Sequence, residues 1–211
     1  MRFRKARRLA TFEDGGMGKR ILIVQGHPDA SHPHYCHALA ASYVDGARDA
    51  GHEVQTVDVG SLEFPLLRSK AEWDDGKVPA SLEAAQAQIK WAEHLVFFFP
   101  LWLGGMPALL KGFLEQVARP GFAISPMDGA ALPKKLLAGR SARVVVTMGT
   151  PALVYRWYFR AHSLKALERN ILGFIGIAPI HETLVGSVES LSPAQREACL
   201  RQLKRLGSAG R

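Results

Sequence analysis

The chain has 211 residues, 47% of them hydrophobic and 22% charged, with a formal net charge of +8. This is the composition of one globular domain with a full core, and it excludes a disordered, collagenous or disulfide-built chain. The apolar run Leu95 to Leu103 falls far short of the ~20 residues that a membrane span requires. Two cysteines, Cys36 and Cys199, fit a reducing and hence cytoplasmic setting.

Part of the positive charge is local. Residues 1–18 hold Arg2, Arg4, Lys5, Arg7 and Arg8 against Glu13 and Asp14, and end in Gly15-Gly16-Met17-Gly18. The stretch lacks periodicity, a signal-peptide core and a cleavage site. It reads as a basic disordered leader, or as a start placed upstream of Met17, with the folded domain over 19–211. The remaining charge is dispersed. It forms no basic stripe interleaved with aromatics, so no nucleic-acid partner is expected.

From Lys19 the sequence alternates strand and helix. Ile21 to Gln25 is a continuous apolar run stopped by Gly26, the pattern of a strand buried on both faces. His34 to Ala50 predicts a helix with Leu39, Tyr43, Ala47 and Ala50 on one face, closed by Gly51. Glu53 to Val59 reads as a second strand, residues 60–78 as irregular, and Ser81 to Ala92 as a helix. Leu95 to Phe99 is the third and most apolar strand. Pro107 to Val117 predicts a helix with Leu110, Phe113, Leu114 and Val117 in one stripe. Arg143 to Met148 is a fourth strand, Leu164 to Leu172 a helix closed by Gly173, and Ile180 to Val185 a fifth strand. Ser192-Pro193 opens a last helix as N-cap and first-turn proline. Strands separated by helices predict an α/β, doubly wound, five-stranded parallel sheet of order 2-1-3-4-5 with helices on both faces.

Ligands of such sheets bind outside the carboxyl ends of the strands where the order reverses, so the loops after strands one, three and four matter most. The first, Gly26 to Pro33 (GHPDASHP), runs into a helix start whose free amides suit a phosphate. It is neither a Walker loop nor a GxGxxG fingerprint. A plain turn with solvated histidines explains it equally well. His27, His32, His34, Cys36 and His37 are potential metal ligands, but their spacing matches no zinc pattern and HExxH is absent, so no metal is expected. In the second loop, Pro100 to Met106 (PLWLGGM), two glycines let backbone approach a flat ligand beside Trp102. The third, Thr147 to Tyr155 (TMGTPALVY), again offers Gly149 and Thr150. Either alone reads as a tight turn. The aromatic and basic YRWYFRAH that follows suits a pocket wall better than a nucleic-acid surface.

These segments together resemble the flavodoxin-like NAD(P)H:quinone oxidoreductases, a group spanning quinone reductases, drug-activity modulators and ancillary subunits of potassium efflux systems. The resemblance runs from about Lys19 to Glu189. FPLWLGGMPALLKGFLEQV (Phe99 to Val117) carries most of it, with GHPDASHPHYCHAL, VTMGTPALVY and PGFAI (Pro120 to Ile124) matching in place and spacing. It implies a flavodoxin-like fold and a non-covalent FMN or FAD, with NAD(P)H as co-substrate. It also implies ping-pong hydride transfer through flavin N5 to a quinone-like acceptor. His27 with Pro33, His34, Tyr35 and Cys36 would hold the flavin phosphate or ribityl chain. Pro100, Leu101, Trp102 and Leu103 would line the ring edge, and Thr147, Met148, Gly149 and Thr150 its pyrimidine end. Tyr155 and His162 would serve near the hydride-accepting face, against readings as a packed aromatic and as a surface residue before an N-cap at Ser163. A homodimer is implied, with Leu153 to Phe159 and residues 60–78 as candidate contact surfaces. Two other readings remain: a flavin-binding regulatory subunit of a membrane ion-efflux system docking through Arg196, Arg201, Lys204 and Arg205, and a hydrolase or nucleotide-binding domain without redox chemistry.

Overall fold

The computed structural model describes residues 18–126 and 132–211. The expected leader therefore lies outside the described residues apart from Gly18. In chain order, β1 (Arg20–Gln25) leads to α1 (Tyr35–Asp49) and β2 (Glu53–Asp58). A 3-10 turn at Val59–Ser61 and a short α2 (Lys70–Asp74) precede α3 (Glu83–Trp91), β3 (His94–Pro100) and α4 (Ala108–Val117). Then come β4 (Ser141–Thr147), α5 (Ala152–Trp157), α6 (His162–Lys165) and a π-helical stretch, Ala166–Leu172. The chain ends with α7 (Gly173–Ile175), β5 (Ile180–Val185) and α8 (Pro193–Ser208). The five strands are all parallel, in the order β2-β1-β3-β4-β5.

Period-two alternation divides each central strand between two cores. Leu22, Val24, Leu95, Phe97, Phe99, Val144 and Val146 face α3, α4 and the π-helical stretch. Ile21, Ile23, Val96, Phe98 and Val145 face α1 and α8. The stripe predicted for α4 is buried in full, because Leu110, Phe113, Leu114 and Val117 recur at helical spacing over the first of these cores. The last helix also opens as the sequence indicates. Ser192 Oγ accepts the Gln195 amide at 3.3 Å, and Gln195 Oε1 accepts the Ser192 amide at 2.9 Å.

Several boundaries differ from expectation. Residues 60–78 are not wholly irregular: Ser69 caps α2 by accepting the Glu72 amide at 3.1 Å. That helix buries no residue, so it leaves no hydrophobic period to read. On α1 the predicted Ala50 is exposed past the helix end, and Gly46 is buried instead. Gly46 meets α8. A Cβ on Gly46 would lie 1.9 Å from Lys204 O, and one on Gly207 would lie 2.0 Å from Tyr43 O. The two helices cross backbone on backbone, with Ser42 Oγ donating to Leu200 O (2.8 Å) and Ser208 Oγ to Gly46 O (3.0 Å). No helix among the described residues is long and apolar enough to cross a membrane.

Candidate active site

The carboxyl ends of β1, β3 and β4 lie side by side, held by backbone hydrogen bonds that continue past the strands. Gly26 N donates to Phe98 O (2.7 Å), Leu101 N to Thr147 O (2.7 Å) and Met148 N to Val185 O (2.9 Å). The three loops singled out in the sequence therefore leave the sheet at one edge.

The β3 loop is a two-residue hairpin. Trp102 and Gly105 exchange both backbone hydrogen bonds, at 2.9 and 3.0 Å, around Leu103 (φ 45°) and Gly104 (φ 77°). Such a turn needs left-handed backbone at both central positions. Glycine meets that freely, whereas leucine bears about 1–2 kcal/mol of strain. The Leu103 side chain is fully exposed and Trp102 is half-exposed, so the fold gains no burial from either. Strain of this kind concentrates at ligand sites. A Cβ added at Gly104 or Gly105 would touch nothing within 4 Å, which leaves an open backbone edge beside the hairpin.

Across from it the β4 loop runs Met148-Gly149-Thr150 into α5. A Cβ on Gly149 would sit 2.8 Å from the Glu189 carboxylate, so glycine is required there by the close approach of the β5–α8 loop. The sequence indicates a plain turn over this stretch, but the chain winds into α5 after Pro151. Two consecutive left-handed residues, Arg160 (φ 54°) and Ala161 (φ 48°), then reverse it into α6. Neither is Gly or Asn, so the reversal carries no sequence signal. Ala161 is thus the N-cap, and His162 is the first residue of α6 rather than a residue preceding a cap at Ser163.

These pieces enclose a cavity of about 510 Å³. Leu101, Leu103 and Gly104 form one wall, and Met148, Gly149 and Thr150 another. Tyr155, Phe159, His162 and Ser163 close the far side. Tyr155 is buried, its Oη 2.7 Å from Ser163 Oγ and accepting the Leu164 amide at 3.3 Å. His162 is exposed at the rim. Phe159 and Ser163 were missed as individual site residues, because only the turn at Arg160–Ala161 swings them over the β3 loop.

The first loop lies beside this cavity rather than in its wall. His27 is buried and meets the edge of Trp102 at 5.8 Å between centroids, which joins the two halves of the site. His34 stacks on His27, and Pro33 is exposed. Two predicted residues turn their side chains away. Tyr35 Oη donates to Arg196 O at 2.9 Å on α8. The Cys36 thiol enters the core 3.6 Å from Gln25 Oε1, where burial pushes its pKa up to about 12. Both offer the site only their backbone. Pro100 and Thr147 are buried at the ends of β3 and β4 and support the loops from below.

A flat, polycyclic group fits this donor set. The cavity has the size of a cofactor pocket, the hairpin offers unobstructed backbone, and the α1 start supplies amides for a phosphate. The comparisons agree with that class. Residues 19–206 match the Flavodoxin_2 family, described as flavodoxin-like fold. An uncharacterized NAD(P)H oxidoreductase of Haemophilus influenzae is 25% identical over 183 residues, 85% of this chain and 89% of that protein. An FMN-dependent NADH:quinone oxidoreductase of Cereibacter sphaeroides is 30% identical over 168 residues, 77% of this chain and 74% of that protein. The solved NAD(P)H:quinone oxidoreductase of Methanothermobacter marburgensis superposes with a TM-score of 0.76 at 20% identity, covering 90% of this chain and 96% of that one. The chain belongs to the flavodoxin-like family, among its NAD(P)H:quinone oxidoreductases.

Proposed function

We propose that this oxidoreductase is a flavin-dependent NAD(P)H:quinone reductase whose isoalloxazine lies against the Leu101–Gly105 backbone and the Met148–Thr150 loop. The observation that carries the reading is the strained, exposed hairpin facing a cavity of about 510 Å³ between the β3 and β4 loops. When bound, the flavin supplies two-electron hydride exchange, which no side chain here provides. The chain supplies the rest. The aromatic and aliphatic walls Leu101, Met148 and Phe159 exclude water and orient planar rings. Tyr155 Oη, fixed by the Leu164 amide, donates into the cavity when Ser163 Oγ turns its own proton toward it. His162, at the solvent rim, exchanges protons with bulk water.

Purified protein will be yellow, absorb near ~450 nm and bleach on anaerobic addition of NADPH. Chromatography of the released flavin distinguishes FMN from FAD. Protein that stays colourless after incubation with either flavin overturns the reading. Gly105→Val gives a sharper test. Its Cβ meets nothing in the fold, so thermal stability will hold, while flavin affinity will drop about tenfold or more from the obstructed backbone edge.

A homodimer follows from the surface beside the cavity. Leu153, Trp157, Tyr158 and Phe159 are exposed together along α5 and its end, a patch that a monomer leaves wet at a cost. A second copy covering it would complete the cavity's outer wall. Trp157→Glu will convert the dimer to monomer in sedimentation analysis. An unchanged sedimentation coefficient would place the contact elsewhere.

A further inference from the structure

The loop between β1 and α1 concentrates titratable groups beside the flavin site. His27 is buried, and its ring stacks on that of His34 with centroids 3.9 Å apart and planes 17° apart. His37 lies 5.2 Å from His27 and 5.6 Å from His34. Three further groups face them. Asp29 takes the Ser31 amide (2.9 Å) and His34 Nε2 (2.8 Å), which turns its carboxylate into the loop. His32 lies 3.6 Å from that carboxylate, and Asp58 at the end of β2 faces His37. From β3 the group facing His27 is the uncharged Trp102.

His27 can change charge without losing its partner. Its Nδ1 is 3.1 Å from Asp29 N and 3.2 Å from Asp29 O. The neutral ring accepts from that amide, the protonated ring donates to that carbonyl, and Nε2–H remains a donor in both states. His37 Nδ1 accepts the His34 amide at 3.1 Å, which likewise keeps the neutral ring's proton on Nε2. Burial first, and the facing imidazoles second, hold His27 below the usual histidine range, so it is neutral at pH 7 in the free protein. A phosphate dianion at the first-turn amides of α1 reverses that balance, because an opposite charge within a few ångströms favours imidazolium.

Building on the flavin reading above, we propose that this cluster is a proton-coupled clamp for the flavin phosphate: seating the phosphate draws one proton from solvent onto His27 Nδ1, and flavin retention tightens as pH falls from about 8.5 to 6.5. His34, already paired with Asp29, backs the charged ring by stacking. The test titrates wild-type protein, His27→Gln and His34→Gln with FMN and with riboflavin at both pH values, read by flavin fluorescence. In wild type the FMN Kd will tighten about tenfold toward pH 6.5, the span of one pKa unit, and the riboflavin Kd less than about twofold. His27→Gln will bind riboflavin as wild type does and lose the FMN slope. Should that variant lose riboflavin as well, His34→Gln is decisive, with a reduced FMN slope at unchanged riboflavin affinity. An FMN slope no steeper than riboflavin's, or one that survives both substitutions, overturns the clamp. Failure of both flavins to bind wild type at either pH overturns the flavin reading itself, and the clamp with it.

Discussion

His94→Leu will make the protein less sensitive to acid by about 2 kcal/mol between pH 7.5 and pH 5, measured as the change in urea unfolding free energy. His94 opens β3 almost fully buried, with Nδ1 2.8 Å from Ser141 Oγ and Nε2 without a hydrogen-bond partner. Burial, and then the cationic Lys19 and Arg143, push its pKa down to about 3 from the ordinary 6.5. The folded protein thus keeps this ring neutral while the unfolded chain protonates it below about pH 6.5. Unfolding takes up a proton in that window. The contribution of the neutral ring is complete above pH 6.5 and is lost progressively as pH falls toward 3. At pH 7.5 the leucine variant will be about as stable as wild type, because it removes one hydrogen bond and one unpartnered buried nitrogen together. Equal acid loss in variant and wild type would show that other groups carry the titration.

Gly46→Ala will destabilise the fold by about 2 kcal/mol or more, against the usual direction for that substitution in a helix. Helix propensity alone favours alanine by about 1 kcal/mol. Here the new Cβ would lie 1.9 Å from Lys204 O, and backbone cannot rotate aside as a side chain can. The helices must part, loosening Leu39, Tyr43, Ala47 and Leu203, which are buried beneath and between them. The matching Gly207→Ala, aimed at Tyr43 O, will behave alike, and the two losses will add to less than their sum, because the first separation relieves the second. Chemical denaturation of both single variants and the double variant checks this. A Gly46→Ala protein as stable as wild type would mean that the crossing tolerates an ångström of separation.

The two cases mark the boundary between what sequence carries and what folding adds. His94 reads as an ordinary strand residue until its neighbours Lys19, Arg143, His52 and His181 are brought around it from four other segments. Gly46 and Gly207 have no apolar side chain to register in a hydrophobic period, yet they set the tightest helix contact in the molecule's α1–α8 layer.

The site divides in the same way. The loops after β1, β3 and β4 were legible because glycine, proline and histidine interrupt strong apolar runs at the carboxyl ends of strands, where doubly wound sheets bind ligands. The positions of Leu101, Leu103, Met148, Gly149, Thr150, Tyr155 and His162 around one cavity agree with the reading of those loops. The directions of individual side chains were not legible. Tyr35 and Cys36 sit one residue apart at the start of α1, and helical rotation sends one toward α8 and the other into the core.

By itself, then, the sequence determined the alternation of strand and helix, the strand order and the edge of the sheet where chemistry is placed, because burial on two faces writes continuous apolar runs and glycine-bounded turns. The tertiary structure alone decided the left-handed turn at Leu103–Gly104, the reversal at Arg160–Ala161 that brings Phe159 and Ser163 over the cavity, and the stacking of His27 on His34. Each of these depends on backbone torsions or on contacts between separate segments, which leave no period in a linear chain.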